Sequence, residues 1–237
     1  MTRLTVIEFI GYREWTESLG SDREWMIQII QSEIYALAQR RAAEVGAHVM
    51  PMRYDYMMLI SSNVDKRSHE KILESVAENS QVPVRMASSC GETPIEAELA
   101  AWGLLAKTGP GELSFSKCSE DEGVVVAHLD IDNITSMTKR MGAAKTYYIV
   151  VDLLHKISRK AEKYGSIVQY LGGDNILAVL PTSNYRSIVE DLVNIDDVKL
   201  KAGVGYARNA RRALTLAAEA LHDIRSGAPA RVIYKGS

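Results

Sequence analysis

Cysteine is scarce: Cys90 and Cys118 stand alone in 237 residues, and neither has partners at zinc-ligand spacing. The five histidines (His48, His69, His128, His155 and His222) are equally scattered. Any metal must therefore be held by oxygen, which points to magnesium rather than zinc. With so few thiols the expectation is a reducing compartment, in which a structural disulfide is disfavoured. No apolar run reaches membrane-spanning length, and the N-terminus lacks a basic stretch followed by an apolar one and a cleavage site. The expected location is the cytoplasm, with no membrane partner. A surplus of one charge is missing too: 28 Lys and Arg oppose 30 Asp and Glu, a net −2, which argues against a nucleic-acid partner.

What is present is an ordinary globular composition, 46% hydrophobic and 24% charged, in a length that suits one large domain or two small ones. The two halves repeat one order of elements. Leu4 to Ile10 reads as a strand, and Ser21 with Glu24 as a capping box opening a helix striped by Met26, Ile30, Ile34 and Leu37. An apolar stretch His48 to Met52, a turn at Arg53 to Asp55 and a strand Tyr56 to Ser61 follow. A helix from Ser68 to Asn79, a strand Val82 to Ser89 and a helix opened by Thr93-Pro94 with Glu96 complete the half. The second half has a strand Val124 to Ile131 and one long helix ending at Gly165, with Ile149, Leu153, Ile157 and Ala161 at four-residue steps. A hairpin follows around Gly172-Gly173, then a helix capped by Thr182 or Ser183, a strand Val198 to Tyr206 and a helix Asn209 to Arg225. Arg231 to Tyr234 is a candidate edge strand. The expected fold is α+β: two tandem ferredoxin-like (palm, βαββαβ) domains, antiparallel sheets covered by helices. Their expected limits are 1–106 and 123–237, with 107–122, rich in Gly, Pro and charge, as the linker. Trp15, Trp25 and the Met50-Pro51-Met52 run are expected in the core.

Two acidic strand ends stand out. Side chains alternate along a strand, so His128, Asp130 and Asp132 share one face while Leu129 and Ile131 take the other. Asp174 follows Gly172-Gly173 in a hairpin, where Asp55 sits in the first half. A magnesium ion between Asp130 and Asp174, completed by the Ile131 carbonyl and water, would satisfy carboxylates that are costly to bury alone. Asp132 also fits as the cap of the next helix, and the glycines fit any tight hairpin. The backbone N–H groups of Asn133, Ile134 and Thr135, at a strand-to-helix junction, suit phosphate oxygens. Lys201 and Arg225 are candidate cations, although a basic residue at a helix C-terminus also suits the helix dipole.

Val126 to Thr135, Gly172 to Asn175 and Leu200 to Gly205 resemble the archaeal GTP cyclohydrolase III family, and Gly11 to Gly20 looks like its members too. The resemblance runs in order from about Leu4 to Tyr234; the second half is more distantly similar to GGDEF diguanylate cyclases. It implies a magnesium-dependent enzyme that opens the imidazole ring of GTP, keeps the formyl group on a formylaminopyrimidine ribonucleotide monophosphate, and releases phosphate. A monovalent cation such as K+ is left open as a further cofactor. GTP and further copies of the chain are the implied partners. By this analogy Asp130 and Asp174 hold magnesium, with the Ile131 carbonyl in its shell, and His128 and Asp132 are the candidates for the catalytic proton transfers. Asn133, Ile134, Thr135, Gly172, Gly173, Asn175, Lys201 and Arg225 contact the nucleotide. Some relatives carry Asp-Asn where this chain has Ile10-Gly11, and Asn where it has Tyr56; if that pair reads guanine in those enzymes, another residue must do so here. The competing readings are a nucleotidyl or diguanylate cyclase, using the same carboxylates to activate a 3′ hydroxyl, and a catalytically silent GTP sensor.

Overall fold

Both sheets of the computed structural model, which describes residues 1–118, 123–195 and 198–237, are built to one plan. The chain divides into two compact units. In the first, β1 (Thr2–Phe9), α1 (Tyr12–Ser18), α2 (Glu24–Glu44), β2 (His48–Met50) and β3 (Tyr56–Ile60) are followed by α3 (Lys66–Asn79), β4 (Val84–Gly91), α4 (Pro94–Leu105) and β5 (Leu113–Phe115). The second runs β6 (Val124–Ile131), α5 (Ile134–Met141), α6 (Ala143–Glu162), β7 (Ile167–Gly172), β8 (Asn175–Leu180), α7 (Tyr185–Val193), β9 (Leu200–Ala207), α8 (Ala210–Arg225) and β10 (Val232–Gly236).

The sheet orders β2-β3-β1-β4-β5 and β7-β8-β6-β9-β10 are the same order, and in each only the last pair is parallel. The segment expected as a linker therefore needs correcting: Leu113–Phe115 is β5, the counterpart of β10. Three residues between Gly-Pro-Gly punctuation and charges are too few to show a period. The end of that segment, 119–122, lies outside the described residues.

β5 also explains a second correction. Ser88 pairs with Phe115, so Cys90 and Cys118 emerge side by side just past the ladder and form a disulfide, with Cα atoms 6.0 Å apart. Thiols 28 residues apart give no such hint in sequence.

Other element ends moved. Ser21 caps nothing: α1 uses Tyr12–Ser18, and α2 starts after Arg23 with no side-chain cap. The helix expected through to Gly165 is two, because Gly142 at φ +85° breaks the run after α5. Asn184, at φ +57°, precedes α7 in place of Thr182 or Ser183. Trp25 and Met52 are exposed rather than core.

The cores differ in chemistry. In the second unit Val125, Ala127, Leu129 and Ile131 pack with Val150, Leu153, Ile157 and Val204 into a fully apolar layer. The first unit carries Arg3, Thr5 and Ser88 at the positions of Val125, Ala127 and Val204. There Thr5 Oγ1 lies 2.9 Å from His69 Nε2 and 2.9 Å from Ser88 Oγ, and His69 is wholly buried.

Candidate functional site

The site grows from β6, the central strand of the second sheet. Asp130 faces Asn175 of β8 on one side and Lys201 of β9 on the other. The hairpin between β7 and β8 turns through Gly173-Asp174, one residue later than the expected Gly172-Gly173 turn, because Leu171 is bulged out of the ladder. Gly172 at φ +104° and Gly173 at φ +61° supply the backbone that this turn requires. The Ile131 N–H donates to the Asp174 carbonyl at 3.3 Å, which ties the turn to the end of β6. In extended backbone the N–H and C=O of one residue face the same neighbour, so the Ile131 carbonyl also points to this turn. The turn that carries Asp174 is thus tied to the end of the strand that carries Asp130 and Ile131.

Helix α8 delivers the cation above them. Its buried stripe of Ala210, Ala213, Ala217 and Ala220 lies directly on β9, where Gly203 and Gly205 have no side chains. A Cβ on Gly203 would stand 2.5 Å from the Leu221 nitrogen, and one on Gly205 2.7 Å from the Ala217 nitrogen. This close seat carries Arg225 to Asp130, with which it forms an ion pair; Asp130 is buried and Arg225 half-exposed. Lys201 Nζ sits 2.5 Å from Asp132 Oδ1. Asp132 therefore holds Lys201, and α5 begins after Asn133 with no side-chain cap, so the capping reading of Asp132 is withdrawn. His128 Nε2 lies 2.8 Å from Asn175 Oδ1.

Beyond the turn opens a cleft of about 540 Å³, lined by Ile134, Thr135, Lys139, Tyr147, Tyr170 and Asp174 among others. Ile134 and Thr135 thus meet Gly173 and Asp174 at one opening. Lys139 was missed; its only sequence signal is its place one helical turn after Thr135. Tyr147, exposed near the start of α6, became a wall only through the break at Gly142.

The first unit repeats the frame with different side chains. Its Phe9 N–H donates to the Asp55 carbonyl at 3.0 Å, the counterpart of Ile131 and Asp174. Glu8 stands where the second unit has Asp130, but Arg85 Nε lies 2.5 Å from its Oε2 and the Tyr56 hydroxyl donates to its Oε1 at 3.0 Å. Asp55 is held by Arg53 at 2.8 Å. Phe9, Tyr12, Trp15 and Tyr54 narrow the corresponding pocket to about 20 Å³.

Among the described residues no three His, Cys, Asp or Glu side chains cluster tightly enough to hold a metal by themselves. No helix among them is long and apolar enough to cross a membrane.

Comparison with known proteins is consistent across the chain. The family profile for GTP cyclohydrolase III matches residues 1–234. A GTP cyclohydrolase III of Aeropyrum pernix is 52% identical over 225 residues, covering 94% of this chain and 92% of that protein. One from Pyrobaculum islandicum is 34% identical over 95% of this chain and 96% of its own, and one from Saccharolobus solfataricus 31% over 94% and 95%. A solved EAL/GGDEF domain protein from M. capsulatus aligns with a TM-score of 0.44 at 15% identity, over 50% of this chain and 88% of that one. By profile and by full-length identity, the chain belongs to the GTP cyclohydrolase III family.

Proposed function

We propose that the chain is a magnesium-dependent GTP cyclohydrolase that opens the guanine imidazole ring, retains the formyl group on a formylaminopyrimidine ribonucleotide monophosphate, and releases phosphate. The observation that supports this reading is the hydrogen bond that ties the Asp174 turn, at the edge of an open cleft, to the end of the strand carrying Asp130 and Ile131, where Arg225 pairs with Asp130 and Lys201 with Asp132. Two carboxylates and a carbonyl form an all-oxygen donor set of the kind magnesium takes when substrate phosphates complete its shell. When bound, the ion would neutralise phosphate charge and acidify a bound water.

The remaining work falls to the chain. Arg225 and Lys201, paired with Asp130 and Asp132, are the cations we assign to phosphate oxygens, and Lys139 adds a positive charge on the wall of the cleft. The N–H groups of Asn133 to Thr135 open α5 toward the same anion. Ring opening needs a water deprotonated for attack at C8 and a proton delivered to the departing nitrogen. Asp132, a partly buried carboxylate beside Lys201, is the group we place at that proton transfer.

Incubation with GTP and Mg2+, with and without K+, followed by chromatography and mass analysis of products tests the reading. Loss of the purine absorbance with phosphate release is expected. Asp174→Asn should lower kcat/KM on the order of 100-fold with an unchanged circular dichroism spectrum. Recovery of intact GTP from folded protein, or of a cyclic nucleotide with an intact purine, overturns it.

A further inference from the structure

Asn175, the first residue of β8, uses its side-chain amide in both directions. Nδ2 lies 2.9 Å from Asp174 Oδ1 and 3.4 Å from the Gly172 carbonyl, and Oδ1 lies 2.8 Å from His128 Nε2. Chemistry sets the order. A carboxylate and a carbonyl only accept, so the NH2 group must face Asp174 and Gly172. The amide oxygen then faces His128, and Nε2 must carry the hydrogen that it donates. Both amide donors are engaged, so none is left for a nucleotide.

Asp174 needs such a brace. It sits in a two-residue turn after glycines that contribute no side chain, so its carboxylate is otherwise free to rotate. We propose that Asn175 is a positioning residue that orients the Asp174 carboxylate for its metal, and that His128 steadies Asn175 from the far side. His128 then acts through hydrogen bonding at Nε2, and not as the base that deprotonates the attacking water. The inference rests on the metal-binding role proposed for Asp174.

The test is Mn2+ titration by electron paramagnetic resonance on the full chain, with a non-hydrolysable GTP analogue. Asn175→Ala should weaken Mn2+ binding about ten-fold or more, the usual effect of losing a partner behind a metal ligand. His128→Leu should weaken it in the same direction, and His128→Gln, which restores an N–H donor, should recover most of the loss. The double variant Asn175→Ala/His128→Leu should be no worse than Asn175→Ala, because both residues act along one chain of bonds. At saturating metal the KM for GTP should stay within about two-fold while kcat falls.

Unchanged Mn2+ affinity in folded Asn175→Ala, or a raised KM for GTP with unmoved Mn2+ affinity, overturns the proposal. If Asn175→Ala does not fold, equal Mn2+ affinity in His128→Leu and His128→Gln overturns it. Wild-type protein that shows the Asn175-dependent Mn2+ binding yet leaves GTP intact overturns the proposed reaction and sustains this inference; protein that takes up no Mn2+ overturns both.

Discussion

Gly203 and Gly205 contribute no side chain, yet they decide where the positive charge of the site lies. Because each permits α8 to rest on the β9 backbone, Arg225 arrives over Asp130 at the far end of the same helix. Gly203→Ala forces the helix off its seat and is expected to cost about 1–3 kcal/mol, the range for overpacked cores. Thermal denaturation should show the lowered midpoint, and phosphate-analogue binding should weaken with it as Arg225 is displaced; an unshifted midpoint would refute this packing account. At this scale the acids of the site were readable in the sequence, since strand alternation places Asp130 and a glycine turn exposes Asp174. The partners of those acids were not. Nothing in the spacing of Asp132 and Lys201, or of Asp130 and Arg225, pairs them; cross-strand register and helix seating do.

Among the elements, the polar layer beneath the first sheet is the feature the fold does not require, since its counterpart in the second unit is apolar. His69 sits in it with Nδ1 2.8 Å from the Asp65 carbonyl, and burial, only partly offset by that hydrogen bond, lowers its pKa to about 4. The unfolded chain, with an ordinary value near 6.5, then binds more protons than the folded one between these limits. The stabilisation is complete above pH 6.5 and is lost as pH falls from about 6.5 toward about 4. The loss should be on the order of 3 kcal/mol by pH 4. Urea melts across this range should show the decline, and His69→Gln should flatten it; an equal slope in that variant would remove His69 from the account. Element order was legible from periodicity, and most strand positions with it. Boundaries failed where a short backbone device outweighed pattern: Gly142 splitting one helix, Asn184 in place of a hydroxyl cap, and β5, too short to show alternation.

For the molecule as a whole, a repeated frame carries an unrepeated site. The carbonyls of Asp55 and Asp174 accept from the same strand position, yet Glu8 is ion-paired with Arg85 and hydrogen-bonded by Tyr56, and the first unit's pocket is narrowed by aromatic rings. The magnesium site proposed above therefore belongs, on that proposal, to the second unit. Asp130→Asn should abolish nucleotide-supported Mn2+ binding, while Glu8→Gln should preserve it and lower stability by leaving Arg85 without its carboxylate. Paired EPR titrations and thermal melts check both; loss of Mn2+ binding in Glu8→Gln would reassign the site.

The sequence alone determined the α+β class, the duplicated order of elements, the acidic strand ends and the family, because these depend on local period, turn chemistry and residues in linear order. Only the tertiary structure decided the Cys90–Cys118 bond, the ion pairs of Asp130 and Asp132, the hydrogen bond between His128 and Asn175 and the closure of the first unit's pocket. Each of those depends on strand register and helix seating, which bring together residues from 28 to 95 positions apart, or on the packing of rings into one space.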